Sequence, residues 1–341
     1  MENVTSISII MATARDNYAL IGHPKIHMLK PTIDSLKTQS FKDFEVIIID
    51  SLYNKRPNLF NGDPFNSSKL LFRVKHVPVH KNHTFWLDRC RWSVCGQLNT
   101  GIIHSQGDLI VRIDDCCEFD SQFIQKFWDG YQSGYFPGAM HLCSNEPPVV
   151  IEDAKRDDVL KVIYGQDCLA RDARYEIVKN NGGRIVGPYN WHCGYSSMSL
   201  EAALKINGLD ENFDGDKSLE DIDCGSRIEM AGYKDKFIMD VDHQVIEHGH
   251  NPVSGLKGST SIKCNYALLQ LNRLKKRYRV NSDKLIGKDI DFIRETSSKL
   301  PCAPEGEKHS FDLTGDLFET WMFRQPIFNL KDERKKILEE V

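Results

Sequence analysis

Short apolar runs and longer stretches of helical spacing alternate over the first third of the chain. Ser6 to Ala12 reads as a strand, with a polar loop from Thr13 to Asn17 behind it. Between Ile26 and Gln39, the residues Ile26, Leu29, Ile33 and Leu36 recur near one helical face, and Pro31 predicts a kink or the true helix start. Phe44 to Asp50 is a second strand, apolar enough to be covered on both sides. A strand, a helix and a strand within about fifty residues is the βαβ signature of a parallel sheet. After a loop rich in Asn, Pro and Gly (53–69), Leu70 to Val77 predicts a third strand and Leu87 to His104 a helix. Leu109, Ile110, Val111 and Ile113 then form a fourth, interior strand that runs straight into Asp114 and Asp115. Asp120 is set to cap a helix carrying Phe123, Ile124 and Phe127.

From Gly138 to Gly187 the periodicity loosens, which predicts irregular structure over a cleft. Order returns with a helix from Ser199 to Ile206, stopped by Asn207 and Gly208, and a loop over Leu209 to Gly215. A further helix is predicted from Ser218 to Gly232, then short strands at Phe237–Val241 and Gln244–His248. Beyond Pro252 the pattern turns helical, at Ser259–Tyr278, Asp283–Leu300 and Phe311–Phe323, before a charged tail from Lys331. The expected fold class is therefore α/β, with a mainly parallel sheet flanked by helices and a helical C-terminal extension. Residues 1–250 would form the main domain, divided near residue 117, and 251–341 the extension.

With 341 residues and 40% hydrophobic content the chain is long and apolar enough for a substantial core. A formal net charge of −4 gives no global pull toward nucleic acid or anionic membrane. The ten cysteines form no C-x-x-C pair and the N-terminus carries no signal-peptide pattern, so reduced thiols in the cytoplasm are expected. No apolar run approaches the roughly 20 residues of a membrane span.

Two acidic groups carry the candidate chemistry. Asp114 and Asp115 stand where a parallel strand leaves the sheet, the edge at which α/β folds bind ligands. Adjacent carboxylates repel unless a cation or donors offset them, so they are expected to handle a nucleotide diphosphate through a divalent metal. The second group is Glu220 and Asp221 in the first turn of a helix. At 100° per residue Asp221 shares a face with Cys224, Ile228 and Ala231 and points inward, while Asp223 and Arg227 fall elsewhere as a surface ion pair. Two readings of Asp221 stand together: an ionised base that deprotonates a hydroxyl, or the closing residue of a capping box begun three positions earlier by Ser218.

The stretches from Thr32 to Asp50, from Gln97 to Asp115 and from Gly208 to Gly215, followed by Glu220 and Asp221, together resemble the inverting GT-A glycosyltransferases, specifically glycosyltransferase family 2, over roughly residues 4 to 250. That resemblance implies transfer of a sugar from a nucleotide-diphosphate sugar, usually a UDP-sugar, to a hydroxyl of a glycan or glycoconjugate. It implies that Ala12, Thr13, Arg15 and Asp50 hold the nucleoside, that Asn99 contacts the nucleotide, and that Asp114 and Asp115 open the D-x-D motif. It assigns Asp221 as base with Glu220 beside it, and sets Trp191 and His192 in the sugar and acceptor cleft. The last D-x-D position is Cys116, and Mn²⁺ or Mg²⁺ prefers oxygen ligands, so either Asp115 or Asp114 would carry the metal or metal dependence is weakened, with His248 and His250 as a further ligand source. Cys116 and Cys117 are expected to send their thiols to opposite faces.

Other readings start from single features. A nucleotidyltransferase would show a Gly-rich phosphate loop after the first strand and a dehydrogenase G-x-G-x-x-G, and neither is present. A non-catalytic nucleotide-sugar binder of the same fold is suggested by Cys116. A modified nucleic-acid base as acceptor is suggested by five cations between Arg273 and Arg279, although cations at a helix end also complement its dipole. The C-terminal helices are expected to serve as an acceptor lid or a dimer surface.

Overall fold

The computed structural model describes residues 5–14, 19–20, 23–27, 29–61, 70–87, 93–144, 170–172, 174–188, 192, 194–214, 219–248, 263–299 and 326–339. In chain order the elements are β1 (Ile7–Thr13), β2 (Ala19–Leu20), β3 (His23–His27), α1 (Leu29–Lys37), β4 (Phe44–Asp50), β5 (Arg73–Pro78), α2 (Val94–His104), β6 (Leu109–Ile113) and β7 (Cys117–Glu118). They continue with α3 (Phe123–Gln132), β8 (Phe136–Ser144), β9 (Ala170–Arg171), α4 (Arg174–Asn180), β10 (Arg184–Val186), β11 (Ser197–Ser199), α5 (Leu200–Lys205), α6 (Glu220–Met230), β12 (Phe237–His248), α7 (Lys263–Leu274), α8 (Gly287–Ser298) and α9 (Leu330–Glu339).

The expected α/β architecture is present. A five-stranded sheet runs β11-β6-β1-β4-β5, parallel throughout except for β11. Its register aligns Thr13 with Asp50 and Met11 with Ile113, so β1, β4 and β6 end together at one edge. Alternation sends Ile7, Ile9, Met11, Val46, Ile48, Leu109 and Val111 to one side, against the buried faces of α1 and α3. Ile10, Ile47, Ile49 and Ile110 pack on the other side with α2, α5, α6 and α7. Each fully buried aliphatic side chain stabilises the fold by about 1.5–3 kcal/mol, which fixes both faces of the strands. A second sheet, β10-β12-β8-β9 with β7 also on β12, stands beside the first.

Several boundaries differ from expectation. The first helix starts at Leu29, with Pro31 near its start where a missing N–H costs nothing, and His23–His27 is a strand paired with β2. The two short strands near the end of the domain are one, β12, with an irregular register between Met239 and Gln244. The stretch read as irregular from Gly138 holds most of β8, together with β9, α4 and β10. The tail from Lys331 is the helix α9, which buries Leu330 and Glu333.

Ala267, Leu268 and Leu271 of α7, Ile293 of α8 and Leu330 of α9 belong to the same hydrophobic cluster as Ile102, Ile206 and Leu209. The C-terminal helices thus share the core of the sheet domain. The helix expected over 311–323 lies outside the described residues. Among the described residues no helix is long and apolar enough to cross a membrane.

Candidate active site

The strand ends are tied together before any ligand is considered. Gln97 of α2 donates Nε2 to the carbonyls of Thr13 and Ile49, at 2.8 and 3.1 Å, bridging β1 and β4. Thr13 Oγ1 donates to Asp115 Oδ2 at 2.7 Å and so fixes the second aspartate after β6. Ala12 lies on the opposite side of β1, packed against the cluster that contains α2.

Asp114 is held in a different environment. Gly194 lies so close that a Cβ there would come within 3.3 Å of its Oδ2. Tyr195 is buried nearby, and its hydroxyl bears on the Asp114 carboxyl. Burial pushes the Asp114 carboxyl up to about 6; Arg112 opposes this, while Glu247 and Asp115 add to it. A buried carboxylate beside other carboxylates is suited to an added cation.

Arg112 was not singled out from sequence. It is two residues before Asp114 on β6, so both side chains emerge on the Ile110 side, facing the helices. Its Nη2 is 3.6 Å from Glu220 Oε1 at the start of α6. Burial works against its charge, but Asp114, Glu220 and Asp221 together overcome that and hold it firmly protonated. One guanidinium therefore joins the strand-end and helix-start acids into a single cleft. A cation inside an otherwise apolar strand was the signal available in the sequence.

The helix that carries Glu220 and Asp221 begins differently from the prediction. Leu219, not Ser218, is the N-cap, with φ +75°, and it offers no side-chain cap. Ser218 lies outside the described residues. Asp221 Oδ1 accepts from the Ile222 amide at 2.8 Å. Burial raises the proton affinity of Asp221 against the opposing pull of Arg112, and Glu220 is raised by burial and by Asp221. Desolvation, not the helix dipole, decides the direction.

The supposed surface pair on this helix is a correction. Asp223 and Arg227 are both fully buried, with Arg227 Nε 2.5 Å from Asp223 Oδ2. Arg227 Nη1 also donates to the Gly208 carbonyl at 2.7 Å, and Asn272 of α7 donates to Asp223 Oδ1 at 2.9 Å. The helix is covered on two sides, so its buried arc is wider than one apolar stripe.

His192 is buried beside the first turn of α6. Its ring is neutral, pushed down to about 3 by burial, with Arg112, Arg174 and Arg227 adding and a hydrogen bond with the Asp221 backbone opposing. Trp191, Arg15 and His250 lie outside the described residues.

Two other expected nucleotide contacts are engaged internally. Asp50 takes Arg56 bidentately, Nε at 2.6 Å and Nη2 at 2.7 Å, and also the Leu52 amide and His76 Nε2. All of its acceptor capacity is used, and the hydrogen bonds to His76 and Arg56 outweigh burial and hold its pKa below the ordinary range. Asn99 is fully buried; its amide donates to Leu209 O and Glu211 Oε1, and its oxygen accepts from Leu209 N. Its group is committed to the loop before α6, which leaves no donor or acceptor facing a nucleotide.

Oxygen donors lie near the strand ends, but among the described residues Asp114, Asp115 and Glu247 do not bring one ligand atom each within 4.8 Å of one another. His248 turns Nε2 to Glu118 Oε2 at 2.7 Å. The neighbouring Glu247 pairs in register with Cys117 and projects to the opposite face, where its charge bears on Asp114 and Tyr195. Cys116 and Cys117 are both buried in one hydrophobic cluster, because the chain turns at 115–116 and strand alternation does not apply. Carboxylate and phenolic oxygens from Asp114, Asp115, Glu247 and Tyr195 match the preference of Mg²⁺ or Mn²⁺, and the thiol of Cys116 is packed away.

The basic run at the end of α7 is largely consumed in place. Arg273 donates to Ser226 Oγ, Arg277 to Asn272 Oδ1 at 2.9 Å, and Arg279 to the carbonyls of Leu204 and Lys205 at the end of α5. Lys275 pairs with Asp289.

No protein-family model matches the chain, and no curated protein sequence matches it. Among solved structures, S. aureus TarS 1–349 in complex with UDP is similar at TM-score 0.45 and 10% identity, over 85% of this chain and 70% of that one. The same protein in complex with UDP-GlcNAc gives TM-score 0.46 and 10% identity, over 85% and 71%. A further S. aureus TarS structure gives TM-score 0.42 and 11% identity, and this chain covers 42% of its length.

Proposed function

We propose that the chain is an inverting glycosyltransferase of the GT-A, family 2 kind, moving a sugar from a nucleotide-diphosphate sugar, with uridine as the base, to a hydroxyl of a glycan or glycoconjugate. The observation that carries this is the convergence of Asp114, Glu220 and Asp221 on Arg112 in one cleft at the ends of the parallel strands. Open α/β sheets bind ligands at that edge. Asp221 serves as general base. Burial raises its proton affinity, which strengthens it as a base toward an acceptor hydroxyl, and it stands in the first turn of α6. Glu220 keeps Arg112 aimed into the site, and the neutral ring of His192 lies beside the Asp221 backbone.

Asp114 and Asp115, with Glu247 beside them, would hold Mg²⁺ or Mn²⁺, which when bound supplies charge neutralisation for a departing diphosphate. Thr13 fixes Asp115, and Asp50 acts by holding Arg56 and the following turn rather than by presenting a free carboxylate. Bringing donor and acceptor together in this cleft supplies much of the remaining acceleration.

The test is a thermal-shift screen of UDP-sugars with and without Mn²⁺, followed by turnover of the stabilising donor. Asp221→Asn should lower turnover by about 10²–10⁴-fold while donor binding stays within a few-fold. Full activity in that variant removes Asp221 as base. Stabilisation of the wild type by a nucleotide sugar without transfer or hydrolysis would instead mark a non-catalytic binder.

A further inference from the structure

A second cluster of titratable groups lies where the turn Lys81–His83 meets α9. His80, His83 and Glu333 each turn one ligand atom toward the others, and the three atoms lie within 4.8 Å of one another. His83 is fully buried, with Nδ1 2.6 Å from Glu211 Oε1 and Nε2 3.0 Å from Glu333 Oε2. A carboxylate on one imidazole nitrogen fixes the tautomer that leaves the other nitrogen as a metal ligand. Glu211 is itself anchored by Asn99 Nδ2 at 2.9 Å. Glu333 Oε1 accepts from Asn82 Nδ2 at 2.6 Å, which orients Oε2 toward His83. His80 Nδ1 receives the Asn82 amide at 3.5 Å, a long contact that a cation on that nitrogen would replace.

Two imidazole nitrogens and one carboxylate oxygen, backed by an outer shell of Glu211 and Asn82, suit a borderline cation and not Mg²⁺ or Ca²⁺. We propose that His80, His83 and Glu333 form a zinc site, separate from the acidic cleft, that fastens α9 to the turn preceding α2. Tetrahedral coordination needs donor atoms roughly 3.3 Å apart, so the ligands close by about 1.5 Å at most. His80 is half-buried and gives the ion a route in, while His83 stays dry. This site stands whether or not the transferase reading holds.

The experiment takes the full chain, stripped with chelator, and titrates it with Co²⁺ and then Zn²⁺. One Co²⁺ per chain should bind with the visible absorption of a tetrahedral nitrogen and oxygen site, and Zn²⁺ should displace it. At a hundredfold excess over Kd, zinc should raise Tm by about 4 °C. His80→Ala, at the half-buried position, should lose both the spectrum and the zinc-induced rise while keeping the melting transition of the stripped protein; Glu333→Gln should lose the spectrum as well. The proposal fails if no such spectrum appears, if it survives both variants, or if it disappears only in Asp115→Asn, which would locate the ion in the acidic cleft.

Discussion

Replacing His83 with glutamine should change how stability depends on pH, by an amount the structure sets. His83 faces Glu211 from the loop before α6, Glu333 from α9 and His80 from its own turn. Burial works against its charge, yet Glu211 and then Glu333 overcome it and hold the pKa up to about 9 rather than 6.5. At 1.36 kcal/mol per unit, that difference is about 3 kcal/mol. Because the folded pKa is raised, this stability is fully present below pH 6.5 and is lost as pH rises through 9. His83→Gln also leaves two carboxylates without their cation, so at pH 6 the variant should be less stable by about 3 kcal/mol or more. The assay is urea unfolding of both proteins between pH 6 and pH 9.5, with EDTA present so that no bound cation substitutes for the proton. Asp214, pushed up to about 8 by burial and Glu211, titrates in both proteins and largely cancels in the difference. The gap between wild type and variant should shrink by about 3 kcal/mol across the range. A gap that stays flat or widens refutes a protonated His83 between its two acids.

Other outcomes follow from single contacts. Arg112→Met removes the cation shared by Asp114, Glu220 and Asp221; the acid limb of the kcat/KM profile should move up by about 1 pH unit or more, and an unmoved limb would exclude Arg112 from the site. Gly208→Ala puts a Cβ at φ +74°, 2.1 Å from Asn99 Oδ1 and 2.4 Å from Leu330 Cδ1. Asn99 cannot retreat without releasing Leu209, so calorimetry should show Tm lower by about 3 °C or more. Arg227→Met strands Asp223 in the core and should cost about 3–5 kcal/mol in urea unfolding, largely recovered when Asp223→Asn is added. A surface pair would have cost under about 1 kcal/mol.

How legible these features were depends on the range of the forces behind them. The strands β1, β4 and β6 were readable because an interior parallel strand is apolar on both faces, and the runs Ile7–Met11, Val46–Ile49 and Leu109–Ile113 have no other use. The location of Asp114 and Asp115 came with the strand. Pro137 and Gly138 broke the alternation that would have marked β8, and the irregular register between Met239 and Gln244 made one strand look like two. A helical wheel assumes one buried face; α6 packs against α7 as well, and Asn272 arriving from there gives the Asp223–Arg227 pair a reason to be inside. In α9 the charges drew attention from Leu330, Glu333 and Ile337, whose spacing was helical. Of the cluster around His83, only His80 is close to it in the sequence; Glu211 and Glu333 lie 128 and 250 positions away.

The same long-range contacts say what the C-terminal segment does for the acidic cleft. The loop from Asn207 to Asp214 leads toward α6, and both of its sides are fastened. Asn99 clamps Leu209 and Glu211 from α2, and Asp214 in turn accepts from the amides of Cys95 and Gly96 at the start of that helix. From the other side, Asn207 donates to the carbonyls of Val280 and Phe328, Leu330 N donates to Asn207, and Asn281 donates to Leu209 O and accepts from Glu211 N. These are buried amides, whose loss leaves unsatisfied groups costing about 1–3 kcal/mol each. Arg227 of α6 reaches back to the Gly208 carbonyl, so the helix bearing Glu220 and Asp221 is locked to the same frame. The described residues of 263–299 and 326–339 therefore brace the helix that carries the second acidic group, and a change at Asn281 or Asn272 would reach Glu220 and Asp221 through that frame.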